Sequence, residues 1–145
     1  MNLKEETIKL KLLKAKSIIK EIEVLMENKF YTTVVSRLYY SCFHATKALL
    51  LTKDLSPKTH KGTSAILHQH FVNKGSFDKE KAIFFDGLMK ERIEDDYNDF
   101  MISNQDEVTE FINPAKEYVD YVSQLIEKYL KEYEGSNPDE PNLFP

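Results

Sequence analysis

The chain holds a single cysteine, Cys42. That excludes an internal disulfide framework and a multi-cysteine zinc site. Glycine is scarce, with four among 145 residues, and three of the five prolines fall in the last eight positions. So few turn-formers argue against a turn-rich all-β fold. No run of about 18 apolar residues occurs, so no membrane-spanning helix is expected. The first residues mix lysine and glutamate with leucine and isoleucine, unlike the unbroken apolar stretch of a signal peptide. The expected location is therefore the cytoplasm. No glycine-rich phosphate loop of the P-loop or dinucleotide type is present.

What the chain does contain is ordinary for a globular domain: 41% hydrophobic and 30% charged residues. Its length suits one domain with a real core. The net charge is −4, but it is unevenly spread: +1 over residues 1–27, +6 over 28–90 and −11 over 91–145. All four histidines lie in the basic middle. This asymmetry hints at an anionic partner for that segment, with chance as an equal alternative.

Apolar residues recur at helical spacing throughout. Residues 3–27 read as a long amphipathic helix through Ile8, Leu12, Ala15, Ile18, Ile19, Ile22, Leu25 and Met26, stopped at Asn28-Lys29 with Asn28 as a left-handed cap. Residues 31–51 form a second, more apolar helix, expected to be covered on two sides. Ser56 as cap and Pro57 at the first helical position are expected to open a third helix over 58–73. A fourth over 79–99 is capped by Asp78, and a final helix or pair over 105–133 is capped by Asn104, with Pro114 kinking or restarting it. The expected architecture is an all-α, up-and-down bundle of four or five helices over residues 1–134. Residues 135–145, acidic and broken by proline, are expected to be disordered.

Only two arginines occur among the 20 lysines and arginines, Arg37 and Arg92. His44 follows Arg37 by seven positions, about two helical turns, so both project from one face of the second helix. Tyr40 and Ser41 lie between them, and Lys47 follows. A base near neutral pKa, an acid and a fixed cation are what metal-free cleavage of an RNA phosphodiester requires. The same spacing equally suits a satisfied core histidine with Arg37 paired to an acid of the fourth helix.

The run Ser36-Arg37-Leu38-Tyr39-Tyr40-Ser41-Cys42-Phe43-His44-Ala45-Thr46-Lys47-Ala48-Leu49-Leu50 resembles the signature helix of the HEPN (higher eukaryotes and prokaryotes nucleotide-binding) domain family. That family carries an arginine and a histidine separated by four to six residues, and six intervene here. Lys58-Thr59-His60-Lys61-Gly62, His70-Phe71-Val72 and Arg92-Ile93-Glu94-Asp95-Asp96-Tyr97 extend the likeness over roughly residues 5–130. It is similar to the small stand-alone prokaryotic branch, often encoded beside a minimal nucleotidyltransferase. The resemblance implies a helical bundle that homodimerises so that two arginine–histidine pairs face each other. It also implies metal-independent endoribonuclease activity, with His44 as acid/base and Arg37 as phosphate clamp. A toxin role, with a nucleotidyltransferase as antitoxin, is implied too. The alternative is a non-catalytic module that binds nucleotide, RNA or protein beside a nucleotidyltransferase. The chain departs from the family pattern at two positions: Leu38 replaces a polar residue after the arginine, and Thr46 stands where some toxins carry a tyrosine that the partner adenylylates.

Other candidates are weaker. Tyr40, Ser41, Lys47, Arg92 and Tyr97 are candidate substrate-binding residues, although Arg92 with Asp95, Asp96 or Asp99 also suits local ion pairs. Glu94, Asp95, Asp96 and Asp99 splay around a helix, a poor metal site. His68 and His70 are two apart, so they cannot chelate one metal together, and Cys42 and His44 share that geometry. Neither metal nor cofactor is expected. Lys53, Lys58, His60, Lys61 and Lys74 could track a nucleic-acid backbone or form a solvated surface.

Overall fold

The computed structural model describes residues 2–97 and 104–134, with side chains over 2–92 and 104–132. Tyr97, the acidic cluster from Glu94 to Asp99 and the tail from residue 135 lie outside the described side chains. Five α-helices follow one another: α1 (Leu3–Glu27), α2 (Tyr31–Leu51), α3 (His60–Leu67), α4 (Lys79–Tyr97) and α5 (Gln105–Glu134). The described residues contain no strand. The fold is the all-α bundle expected from the periodicity.

α1 and α2 pack as an antiparallel pair joined by a Schellman turn. The N–H of Phe30 donates to Leu25 O at 2.9 Å and that of Lys29 to Met26 O at 3.1 Å. The left-handed residue is Lys29, with φ 60°, and not Asn28, whose φ is −93°. The Schellman geometry puts positive φ one residue past the cap.

The register of the pair is read from its cross-links. Arg37 meets Glu21, Ser41 Oγ donates to Ala15 O at 2.7 Å, and Lys4 meets Asp54 at 2.9 Å. Position rises on one helix as it falls on the other, which sets His44 opposite Lys14 and Lys47 opposite Lys11. Ala15, Ser41, Ala45 and Ala48 are fully buried along the seam, and their small side chains allow the close approach.

α2 is the hub, packing against α1, α3, α4 and α5. Val34, Val35, Leu38, Tyr39, Cys42, Leu49 and Leu50 are all buried, so it is covered on more than one side. Tyr118 stacks on Phe85 at 5.5 Å, and Phe85 on Tyr39 at 5.8 Å, forming an aromatic ladder through the core.

α3 begins later than expected. Ser56 and Pro57 stay in the loop and Thr59 is the cap, accepting from the Gly62 N–H at 2.8 Å. A Cβ on Gly62 would lie 2.7 Å from that capping Oγ1, so glycine lets the cap close. α3 then widens into one π-helical turn, His68–Val72. Asp78 and Asn104 cap α4 and α5 through bonds of 2.8 Å from the Glu80 N–H and 3.0 Å from the Glu107 N–H. α5 runs unbroken through Pro114 rather than restarting there, its buried stripe Ala115, Tyr118, Val119, Val122 and Ile126 holding it to the core.

Candidate functional site

Arg37 and His44 share the α2 face that borders α1, as the seven-residue spacing requires. Arg37 donates from Nε at 3.2 Å and from a terminal nitrogen at 3.0 Å to the same oxygen of Glu21. The acid sits on α1, not on α4. The two side chains remain 36% and 51% exposed, so this is a surface pair and not a buried one.

His44 is half-buried, packed beside the Phe43 ring at 5.8 Å and the Tyr40 ring at 6.3 Å. Its imidazole is pushed down to about 4, first by burial and then by Lys14, Lys11, Arg37 and Lys47. Lys14 and Lys11 are the lysines that the helix register places across the seam, and Lys47 stands one turn on along α2. His44 is thus neutral at physiological pH, on a face rich in positive charge, and its pKa lies below the near-neutral value expected of an acid–base group. Such a face attracts phosphate, and an arriving phosphate opposes the effect of the lysines on the imidazole.

Lys47 lies at the edge of this face. Its Nζ donates to Pro57 O at 2.9 Å and sits 5.8 Å from the Phe43 ring centre, and partial burial holds its pKa below the usual lysine value. Ser41 does not join the face: it is fully buried and its hydroxyl is spent on Ala15 O. Leu38 points into the core, where a polar side chain would need a partner. Thr46 is also buried. Its hydroxyl donates to Cys42 O at 2.7 Å and accepts from Tyr118 O–H at 2.6 Å. Cys42 is fully buried and burial pushes its thiol up, which leaves it inert as a nucleophile.

Arg92 reaches across from α4. It donates to Tyr40 Oη at 2.9 Å, with its guanidinium 5.0 Å from the Tyr40 ring centre and 5.6 Å from that of Tyr39. A residue that spacing did not single out as catalytic or substrate-binding completes the cluster. His60, at the start of α3, stacks on Phe43 at 4.5 Å and bonds Tyr39 Oη through Nδ1 at 2.6 Å. Burial, Arg92 and Lys47 lower its pKa. Lys11, Lys14 and Glu21 were equally unmarked, because α1 reads as an ordinary alternation of charge.

Of the other basic candidates, Lys53 turns onto the Phe71 ring at 4.3 Å, while Lys58, Lys61 and Lys74 are exposed. His68 bonds Asp86 at 2.7 Å, and the same carboxylate accepts from Ser64, which pins α3 to α4. His70 lends its carbonyl to Lys53 at 3.4 Å. Among the described residues no three His, Cys, Asp or Glu side chains gather as a metal set, and no helix is long and apolar enough to cross a membrane.

The HEPN domain model matches residues 8–131, so the match spans all five helices. The chain belongs to the HEPN domain family. Within this family, the chain is 31% identical to a UPF0332 protein of Thermotoga maritima over 88% of its own length and 96% of that protein. It is 33% identical to the Methanocaldococcus jannaschii protein named "Putative toxin MJ0605", over 74% of its own length and 80% of that protein. A second protein of that organism, named "Putative toxin MJ0142", is 31% identical over 83% and 76% of the two chains.

Proposed function

We propose that this HEPN protein is a metal-independent endoribonuclease acting through Arg37 and His44. The observation that carries this reading is a half-buried imidazole on a face of positive charge, two turns from an arginine. In the reaction, His44 takes the proton of a 2′-hydroxyl, whose oxygen attacks the adjacent phosphorus. The P–O5′ bond breaks, leaving a 2′,3′-cyclic phosphate, and the 5′-oxygen leaves with the proton that His44 took from the 2′-hydroxyl. Arg37, exchanging Glu21 for phosphate, stabilises the charge that develops on the phosphoryl oxygens. Tyr40, Lys47 and Arg92 border the substrate.

The names of the Methanocaldococcus relatives support a toxin role. A nucleotidyltransferase as the neutralising partner belongs to the same reading and follows from the family resemblance alone. A homodimer is part of the reading: α1 leaves Leu3, Leu10, Leu13 and Val24 between 59% and 78% exposed, an apolar face a second copy would cover.

Cleavage of RNA in EDTA by the wild type and by His44→Ala, purified in parallel, tests the reading. Loss of cleavage in the folded variant is the expected result; equal cleavage by both places the activity elsewhere or in a contaminant. A second reading, a non-catalytic binding module beside a nucleotidyltransferase, is favoured by the Glu21 carboxylate already seated on Arg37. Binding of RNA without cleavage by the wild type selects it.

A further inference from the structure

Beside the Arg37–His44 face, α2, α3 and α4 bring Tyr39, Tyr40, Phe43, His60 and Arg92 to one corner. Tyr39 is fully buried, and its rung of the core ladder fixes its position. Its phenol is a stronger acid than a neutral imidazole, so the O–H donates and Nδ1 of His60 accepts. This orients the His60 ring and leaves its N–H on Nε2. Phe43, Tyr40 and His60 are each only partly covered, unlike the rings behind them. His44 and His60 both lie within 6.3 Å of the same two rings, Tyr40 and Phe43.

We infer that the partly covered Phe43–Tyr40–His60 corner is a nucleobase subsite, which stacks a base of single-stranded RNA next to the phosphate held at Arg37 and His44. The inference rests on the ribonuclease reading for its substrate class. Rings ordered before binding lose little entropy when a base stacks on them. Arg92 lies over the Tyr40 ring at 5.0 Å and Lys47 over the Phe43 ring at 5.8 Å, positive charge beside the corner that suits a base arriving with its phosphates. In a duplex the bases are already stacked on each other, so the corner selects single strands.

The test uses a short RNA with 2′-O-methyl riboses, which lacks the attacking hydroxyl, and carries 2-aminopurine in place of one base. Binding to the wild type should quench the probe through ring stacking, and annealing the RNA to its complement should abolish the effect. Phe43→Leu should weaken binding by roughly 5-fold or more without changing its salt dependence. Arg37→Gln should reduce the salt dependence and leave the quenching in place. His60→Gln serves where Phe43→Leu does not fold by circular dichroism, and should also reduce quenching. Binding with no quenching at any probe position, or undiminished affinity in both ring variants, overturns the subsite and leaves the Arg37–His44 reading standing. No binding of RNA to the wild type overturns both.

Discussion

Glu21 separates a phosphate clamp from a structural ion pair at Arg37. In the free protein one Glu21 oxygen takes both Arg37 bonds, at 3.0 and 3.2 Å, with both side chains substantially exposed. A pair in that setting contributes at most about 1 kcal/mol to folding. Glu21→Gln should therefore cost less than about 1 kcal/mol in a urea melt. For a phosphate ligand the same change is favourable twice. It removes a competitor for the guanidinium worth up to about 1 kcal/mol, and it removes a carboxylate whose repulsion of a phosphate at about 4 Å is near 1 kcal/mol in water. Together these amount to about 1–2 kcal/mol and tighten RNA binding by about 5- to 30-fold. Freed from its carboxylate, Arg37 should also steepen the log–log salt slope by up to about 0.7, the single-strand value for one phosphate contact. Fluorescence anisotropy on the 2′-O-methyl RNA over a salt series reads both quantities. Weaker binding in Glu21→Gln, or a loss of stability beyond about 2 kcal/mol, would refute the clamp and mark the pair as structural.

Three further outcomes are expected. His44, pushed down to about 4 from an ordinary 6.5, is held neutral by the fold, so its contribution to stability is full above 6.5 and is lost as pH falls through about 4. Its ring resonances should titrate near 4 by NMR, and His44→Gln should flatten the fall in urea midpoint over that window. Lys29 holds φ 60° in the α1–α2 turn, so Lys29→Gly should raise stability by about 0.5–1 kcal/mol in a denaturant melt. Thr46→Val should cost about 1–3 kcal/mol by stranding the buried Tyr118 hydroxyl, and adding Tyr118→Phe should recover part of that loss.

Helix number, the buried stripes and the pairing of Arg37 with His44 on one face were legible from the residues, because each depends on the 3.6-residue period of one helix. Ile8, Leu12, Ala15, Ile18 and Ile22 are buried at the spacing that marked them. The start of α3 was misplaced, since Ser56-Pro57 and Thr59-Gly62 are both good local openings and the Thr59 cap is the one that forms. Ser41 had the right phase for the site but faces Ala15, because its small side chain lets α1 approach there. His60 lies 16 residues beyond His44, in a separate helix, and no period links the two. Its place on Phe43 depends on how α3 docks against α2. The same holds for Lys14 opposite His44 and for Glu21 on Arg37, since the α1–α2 register arises where two helices meet and neither contains it alone. The signature pair is thus a local property of one helix, whereas the charge around it, the state of its imidazole and the rings beside it come from side-chain packing between helices.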